Sequence, residues 1–596
     1  MAKSPLLNTD GVCEFHVFCN GKELPTGYSL VSADISFHLN SIPKASIVIR
    51  DGDMPTASFP ISDQELFVPG AEIKITAGFD LKQKELFKGI IIKHGVNIDK
   101  SGRSRLNLEC KDKSVAMTCA RKNAHFVDKS DKEIITKLIK EYGLKSEVNI
   151  NGPKHKELTQ YYCSDWDFMM LRAEANSCFV SVYDGKIRIE EIRPLDSAKV
   201  CLTWGKDIIS FKADMDAETQ VSSVQARAWD WSKLDMVSTD APQKTFIKQG
   251  DIDGKKMADV LKVKDTLLQS GASLSADELK IWAKAEQAKR ELSKIKGSAT
   301  CIGTDEFELG SVVELNGVGK RFCGNALISG IQHHLKKGSF KTEVSFGMDN
   351  EWFVEKYKTV SPLASGLNSG INGLLPGIVI KLDGDPEKQN RIQVKIPLMK
   401  NETEGIWARL SSPYASKEIG SFFVPEVGDE VILGFFNADP SSPVILGSLY
   451  SSGRTPPKQI ESENNIKTLV TRSKITVEFD EEKKAFSLKT PDERSIILSD
   501  KDKLISISDK KGNKIEFTDN GIEITSPKDI SISSKAGIKI DAVKDIAAAS
   551  KSGNINAEGT NIELKAKASL TAKGNVSAEV SASGTTTIKG AMVMIN

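Results

Sequence analysis

Apolar and polar residues alternate in short bursts through most of the chain. Beyond residue 520 the bursts fall into a period of eight. Ile522-x-Ile524, Ile530-x-Ile532, Ile538-x-Ile540 and Ile546-x-Ala548 are followed by a polar unit, Asn554-x-Asn556. The register then resumes with Ile562-x-Leu564, Leu570-x-Ala572, Ala578-x-Val580 and Thr586-x-Ile588. An apolar-x-apolar pair is a short strand with one buried face. The Gly, Ser, Asn, Asp and Lys between pairs belong to turns and solvated edges. Eight residues make about one strand and one turn, whereas a single-chain β-helix needs roughly 18 or more to wind once round its axis. Two small aliphatics per repeat also make too thin a core for one chain. Three identical chains, each giving one strand per layer, would close a triangular prism and leave no free edges. The pattern therefore predicts an intertwined triple-stranded β-helix in a homotrimer. Its axis is assigned to Ile522, Ile524, Ile530, Ile532, Ile538, Ile540, Ile546, Ile562, Leu564, Leu570, Val580 and Ile588. No aromatic residue follows Phe517, and Pro527 is the one later proline, as a narrow axis requires. An ordinary meander or a disordered Ala/Ser/Lys-rich tail is the competing reading; the strict register argues against disorder.

Upstream, residues 1 to about 110 read as β. Segments 27–38, 45–50, 71–77, 85–93 and 104–110 alternate and are bounded by Gly, Pro and Asp, which suggests a barrel or sandwich. Three helices interrupt this pattern. Ser130 and Glu133 form a capping box before the stripe Ile134, Ile135, Leu138, Ile139 and Tyr142, and Gly143 ends the helix. A second helix begins near Ser164 and Asp165, with Phe168, Leu171 and Ala175 on one face. A third opens with the box Ser275/Glu278 and carries Trp282, Ala285, Ala288 and Leu292. Residues 360–372 read as a linker. About five strands in the next 80 or so residues, with a turn at 426–429, suit a small Greek-key barrel of OB type. The expected division is a hub-like β-barrel base with helices over 1–360, an OB barrel over 361–457, an irregular β connector over 458–520 and the octad needle over 521–596. The expected class is mainly β.

At the barrel a resemblance becomes specific. Val427-Gly-Asp-Glu-Val-Ile-Leu-Gly-Phe-Phe-Asn-Ala-Asp-Pro-Ser-Ser-Pro-Val-Ile-Leu-Gly-Ser-Leu-Tyr450 closely resembles the barrel of the valine-glycine repeat protein G (VgrG) family, the spikes of type VI secretion. Gly428, Asp429, Glu430, Gly434, Asp439, Pro440 and Gly447 carry that motif. Residues 385–397 look like the family's DP…RVxVxxP segment, with Ile392 where Val is common. Residues 161–178 are similar to a hub segment, with Cys163 in place of the usual acid and Asn176-Ser177 at its end. The resemblance spans essentially the whole chain, and the family shares its architecture with phage tail hubs and cell-puncturing spikes. It implies a trimeric tail-hub base, an OB collar and a β-helical needle. It also implies partners: an inner-tube (Hcp-like) protein, baseplate components, a PAAR-repeat tip protein on Met592, Val593, Met594, Ile595 and Asn596, and effector or cargo proteins. Transient contact with a target-cell envelope follows. The related alternative is an extracellular contractile particle or phage tail.

The bulk figures narrow the chemistry. Net charge is +1 over 596 residues, which gives no field for nucleic acid. No apolar run reaches the ~18 residues of a membrane span, and the first ten residues lack the h-region of a secretory signal. Cytoplasmic assembly, with export by the machine itself, is the expectation. Nine Cys lie between Cys13 and Cys323 with no CxxC, as expected of reduced thiols. His333-His334 is the one His pair; neighbours on a strand point to opposite faces, so no shared metal is expected. GxSxG, HExxH and Walker spacings are missing. Glu191, Asp214 and Asp216 are acids among many. Between barrel and octads there is no room for a lysozyme-sized domain of ~150 residues, and no toxin is expected after Asn596. A trimeric tailspike glycan hydrolase, the enzymatic alternative, would need aromatics on the prism for sugar stacking. No catalytic residue, metal or cofactor is expected.

Overall fold

Alternating segments in the first hundred residues pair with equally alternating segments about three hundred residues later, and that long-range ladder organises the N-terminal half. The computed structural model describes all residues except 1, 9–10, 80–82, 196, 400–404 and 596. It divides into two compact units, Met1–Ser448 and Leu449–Asn596.

In the first unit the largest sheet runs Ile208–Met215, Ile295–Ile302, Ser339–Phe346, Gly324–Lys336, Leu30–His38, Lys44–Arg50, Ser104–Lys111, Lys84–Ile98, Glu72–Phe79, Cys13–Cys19, Lys22–Glu23. Early and late segments join where Leu30–His38 lies antiparallel to Gly324–Lys336, with Phe37 opposite Ile331 and Ile35 opposite His333. The core beneath is aliphatic: Ile35, Ile47, Ile49, Ile73, Ile75, Ile91, Leu106 and Leu108 are fully buried. Period two in the sequence thus becomes one dry face.

The expected helices form as read. The first, α1 (Asp131–Glu141), has both arms of its capping box: Ser130 Oγ accepts from Glu133 N, and Glu133 Oε2 accepts from Ser130 N. Ser164 caps α2 (Asp165–Ala175). A short helix missed in the sequence, α3 (Gly254–Leu261), starts at Asp253, whose carboxylate accepts from Lys256 N at 2.8 Å. The box Ser275/Glu278 opens α4 (Ala276–Ser293). It packs on a three-stranded sheet formed by Ser223–Asp230, Asp235–Pro242 and Asp265–Ser270.

Residues 375–448 hold a closed barrel in the order Leu375–Lys381, Ile392–Lys395, Ile406–Leu410, Pro443–Ser448, Glu430–Phe435. Val379, Val394, Ala408, Val431, Leu433 and Ile445 fill it completely. Phe422 and Phe423 stand outside any strand and are exposed, although their sequence reads as the start of one.

The second unit differs from the sequence reading over 458–520. Instead of irregular strands there is a regular antiparallel meander of seven five-residue strands, from Ile466–Val470 to Gly521–Thr525. The first six begin nine or ten residues apart, a spacing visible in the sequence once looked for.

Candidate functional site

The barrel motif is a set of backbone devices. Gly428 adopts φ +90°, a left-handed value that favours glycine. Its N–H donates to Val379 O at 2.7 Å, and Val379 N–H returns a bond to Asp429 O at 2.9 Å. Asp429 closes the turn by accepting from Glu426 N at 2.9 Å. Glu430 pairs with Ile378, Gly447 with Ile432, and Gly434 with Val444. Asp439 Oδ1 accepts from Ser441 N at 2.9 Å in the loop that holds Pro440. On the facing loop the Asp385 carboxylate accepts from the backbone N–H of Glu387, Gln389 and Arg391 and from the Arg391 guanidinium. The Arg391 bonds, then these N–H groups, hold the Asp385 carboxyl well below the usual carboxylate range. These contacts hold the turns and strand pairs of the barrel.

The surface that stands out lies in the second unit. Cross-strand pairs place one rank of side chains on one face of the meander: Leu469–Val477–Leu488–Ile496–Ile507–Ile515–Ile524. A second rank runs beside it: Phe479–Phe486–Leu498–Ile505–Phe517–Ile522. The opposite face is mainly small and polar, with Glu478, Ser487, Ser506, Glu516 and Glu523 among its central residues. Among the described residues the apolar face is left partly open; Phe479 is 50% exposed and Ile507 47%. Soluble monomers rarely expose contiguous apolar patches beyond a few hundred Å².

That face leads into the octads. Ile522 and Ile524, the first pair of the repeat, sit in the last strand of the meander, on the apolar face. From 526 to 595 no described residue belongs to a strand, and every described residue after 528 is exposed. The backbone nonetheless keeps the period. Bends fall at 527–528, 535–536, 543–544, 551–553, 560, 567–568, 575–576, 583–584 and 591–592, with segments of six residues between them. Ile530, Ile532, Ile538, Ile540, Ile546, Ile562, Leu564, Leu570, Val580 and Ile588 stand exposed on these segments, half their surface or more open to solvent. At the proposed tip Met592, Val593, Met594 and Ile595 are exposed too, while Asn596 lies outside the described residues.

Elsewhere, titratable groups are engaged in structure. His333 is buried and lies 3.0 Å from Thr342 Oγ1, while His334 faces the other way onto Asp34 at 2.8 Å. Burial, and then the neighbouring His334, bring the His333 pKa down to about 3. A concavity of about 1250 Å³ is lined by His38, His94 and His334 among others. His94 donates to Phe67 O at 2.9 Å and lies 2.6 Å from Ser62 Oγ. Glu191 pairs with Lys284, and Asp216 accepts from Glu218 N. Burial pushes the thiols of Cys110, Cys178 and Cys301 up to about 12. No group of three His, Cys, Asp or Glu suited to a metal occurs among the described residues.

A motif-bearing closed barrel followed by an unpartnered periodic segment defines a class before it defines a family. Residues 375–450 match the type VI secretion system/phage-baseplate injector OB domain, so the chain carries an injector barrel of that kind. Residues 9–337 match the Alg8 N-terminal domain; this is more than half of the chain, which therefore belongs to the Alg8 N-terminal domain family. Two relatives are spike proteins of type VI secretion systems. VgrG1a of Pseudomonas aeruginosa is 34% identical over 73 residues, 12% of this chain and 11% of that protein. VgrG3 of Vibrio cholerae is 37% identical over 71 residues, 11% of this chain and 7% of that protein. The matched stretches span about a tenth of the length of the curated relatives. Among solved structures, the prophage MuSo2 43 kDa tail protein from Shewanella oneidensis aligns with TM-score 0.44 at 12% identity, covering 57% of this chain and 99% of that one.

Proposed function

We propose that this chain is the hub-spike of a contractile injection machine and works as a homotrimer. One observation carries the reading: an apolar face runs through the meander into the octads, uncovered in a single chain and periodic to the end. Three copies bury it on a common axis and supply the backbone partners that each extended segment lacks. The injector barrel supports a base that caps the inner tube and contacts baseplate components. Force from the contracting sheath passes down the prism to a small tip. Inter-chain backbone bonding makes such a prism hard to open locally. Met592 to Asn596 present the end to a PAAR-repeat cap with its effector, and the particle meets the target envelope there. The assembled protein resides in the cytoplasm until the machine expels it.

The mass of the purified full chain in solution, by light scattering behind gel filtration, tests this. Three times 65.1 kDa is expected. A well-folded monomer would remove the physical basis of the spike.

A further inference from the structure

A cavity of about 430 Å³ lies in the first unit, beside the hairpin of Cys178–Tyr183 and Lys186–Glu191. Phe37, Leu86, Val182, Phe307, Leu309 and Ile331 give it an apolar wall, as small-molecule sites have. Its polar groups are few, and two of them lack partners. His333 lines the cavity and is 5% exposed. Thr342 Oγ1 donates to Thr304 O at 3.3 Å, so it accepts from His333 Nδ1–H at 3.0 Å. Nε2 is then an unprotonated acceptor, and no described residue donates to it. A buried acceptor left unpaired is costly, and a ligand N–H or O–H recovers that cost. At the rim, Glu85 and Asp305 are exposed, and neither carboxylate has a hydrogen-bond or ion-pair partner among the described residues. The cations of the lining are already engaged: Lys186 Nζ lies 2.6 Å from Glu147 Oε2, and Arg188 Nη1 2.7 Å from Glu308 Oε1. Half-exposed Tyr183 stacks on Phe37 with ring centroids 5.9 Å apart, and its hydroxyl donates to Glu85 O. Burial, then Glu85, Asp184 and Asp305, push that hydroxyl up to about 12, so the field at the rim is negative.

We propose that this cavity binds a small arylalkylammonium, with its ring on the apolar wall, a ring N–H or O–H donating to His333 Nε2, and its ammonium at the rim with Glu85 and Asp305. Each part of that ligand class answers one part of the site. The inner donor must be neutral, because an ammonium beside His333 would be buried away from any carboxylate. The outer group must be cationic, because Glu85 and Asp305 repel an anion and the Tyr183 ring attracts a cation. The body must be apolar and flat enough to lie against Phe37 and Phe307. Every lining residue belongs to the first unit, so the site is complete in one chain and does not depend on the trimer.

Titration calorimetry of the full chain with tryptamine tests it. Saturable binding of one molecule per chain is expected. Indolepropionate, which exchanges the ammonium for a carboxylate, should bind several-fold more weakly. So should tryptamine methylated on its ring nitrogen, which cannot donate to His333. Glu85→Gln with Asp305→Asn should weaken tryptamine several-fold and leave the melting temperature unchanged, since both side chains are exposed. No saturable binding of tryptamine overturns the site. Equal affinity for indolepropionate, or undiminished binding by a folded double variant, overturns the cationic end, and equal affinity for the methylated ring overturns the contact with His333.

Discussion

His333 shows how much one residue's surroundings decide. Its ring is buried against Phe37 and Phe340, with Thr342 Oγ1 at hydrogen-bond distance. The folded pKa, near 3, lies below the ordinary 6.5, so the folded state favours the neutral ring. As pH falls below 6.5 the unfolded chain takes up a proton that the folded chain refuses, and stability is lost down to about pH 3. Linkage puts the loss at about 2 kcal/mol between pH 7 and pH 5. His38 is lowered too, chiefly by burial and then by Lys44 and Lys356, and adds in the same direction. His333→Gln should shrink the fall in melting temperature from pH 7 to pH 5. All seven Trp lie in the first unit, so their fluorescence reads the transition; an equal fall in both proteins would refute the assignment. In the OB barrel, Leu433 is fully buried, and its Cδ1 would lie 2.8 Å from a Cβ placed at Gly377. Leu433→Ala should cost about 2–5 kcal/mol by denaturant unfolding; a loss below 1 kcal/mol would mean that the barrel collapses around the gap.

At the scale of elements, α4 is anchored by buried charge. Lys289 Nζ bonds Glu174 Oε1 at 2.6 Å and Glu351 O at 2.7 Å, beneath the Trp352 ring. Glu174 Oε2 accepts from Phe353 N at 2.7 Å. Glu174→Ala leaves an ammonium and an amide buried without that carboxylate, and should destabilise the first unit by about 3–5 kcal/mol. Replacing both Glu174 and Lys289 by apolar residues should restore part of the loss. If the single and double variants melt alike, the pair is not coupled. The helix starts were legible because Ser130/Glu133 and Ser275/Glu278 encode them locally. The barrel was legible because Gly428 and Asp429 mark one of its turns. The start of α3 escaped notice, since Asp253-Gly254 reads as a turn. The buried Lys289–Glu174 pair of α4 also escaped, because partners 115 residues apart leave no local signal. The meander face was hidden for another reason. Its strand starts alternate between spacings of nine and ten, so no single period exposes the two ranks that the cross-strand pairing creates.

For the whole molecule, the octad axis makes the sharpest demand. Ile538→Asp with Ile540→Asp would bring six carboxylates together in one layer of the proposed trimer, and should abolish it. A stable trimer of the double variant, by light scattering, would sink the axial assignment. Phe486→Asp, on the meander face, should weaken the trimer through the same continuous surface.

No described residue from 526 to 595 lies in a strand of its own chain. In the proposed trimer, such a stretch cannot finish folding at a rate set by one molecule alone. Each barrel can close as soon as its strands leave the ribosome, but the tail must wait for encounter, and encounter follows concentration. A dilute cell would hold chains with completed barrels and uncompleted tails, ready for the chaperones and proteases that act on exposed apolar surface. The number of copies made, as much as what each copy encodes, sets when a finished particle exists.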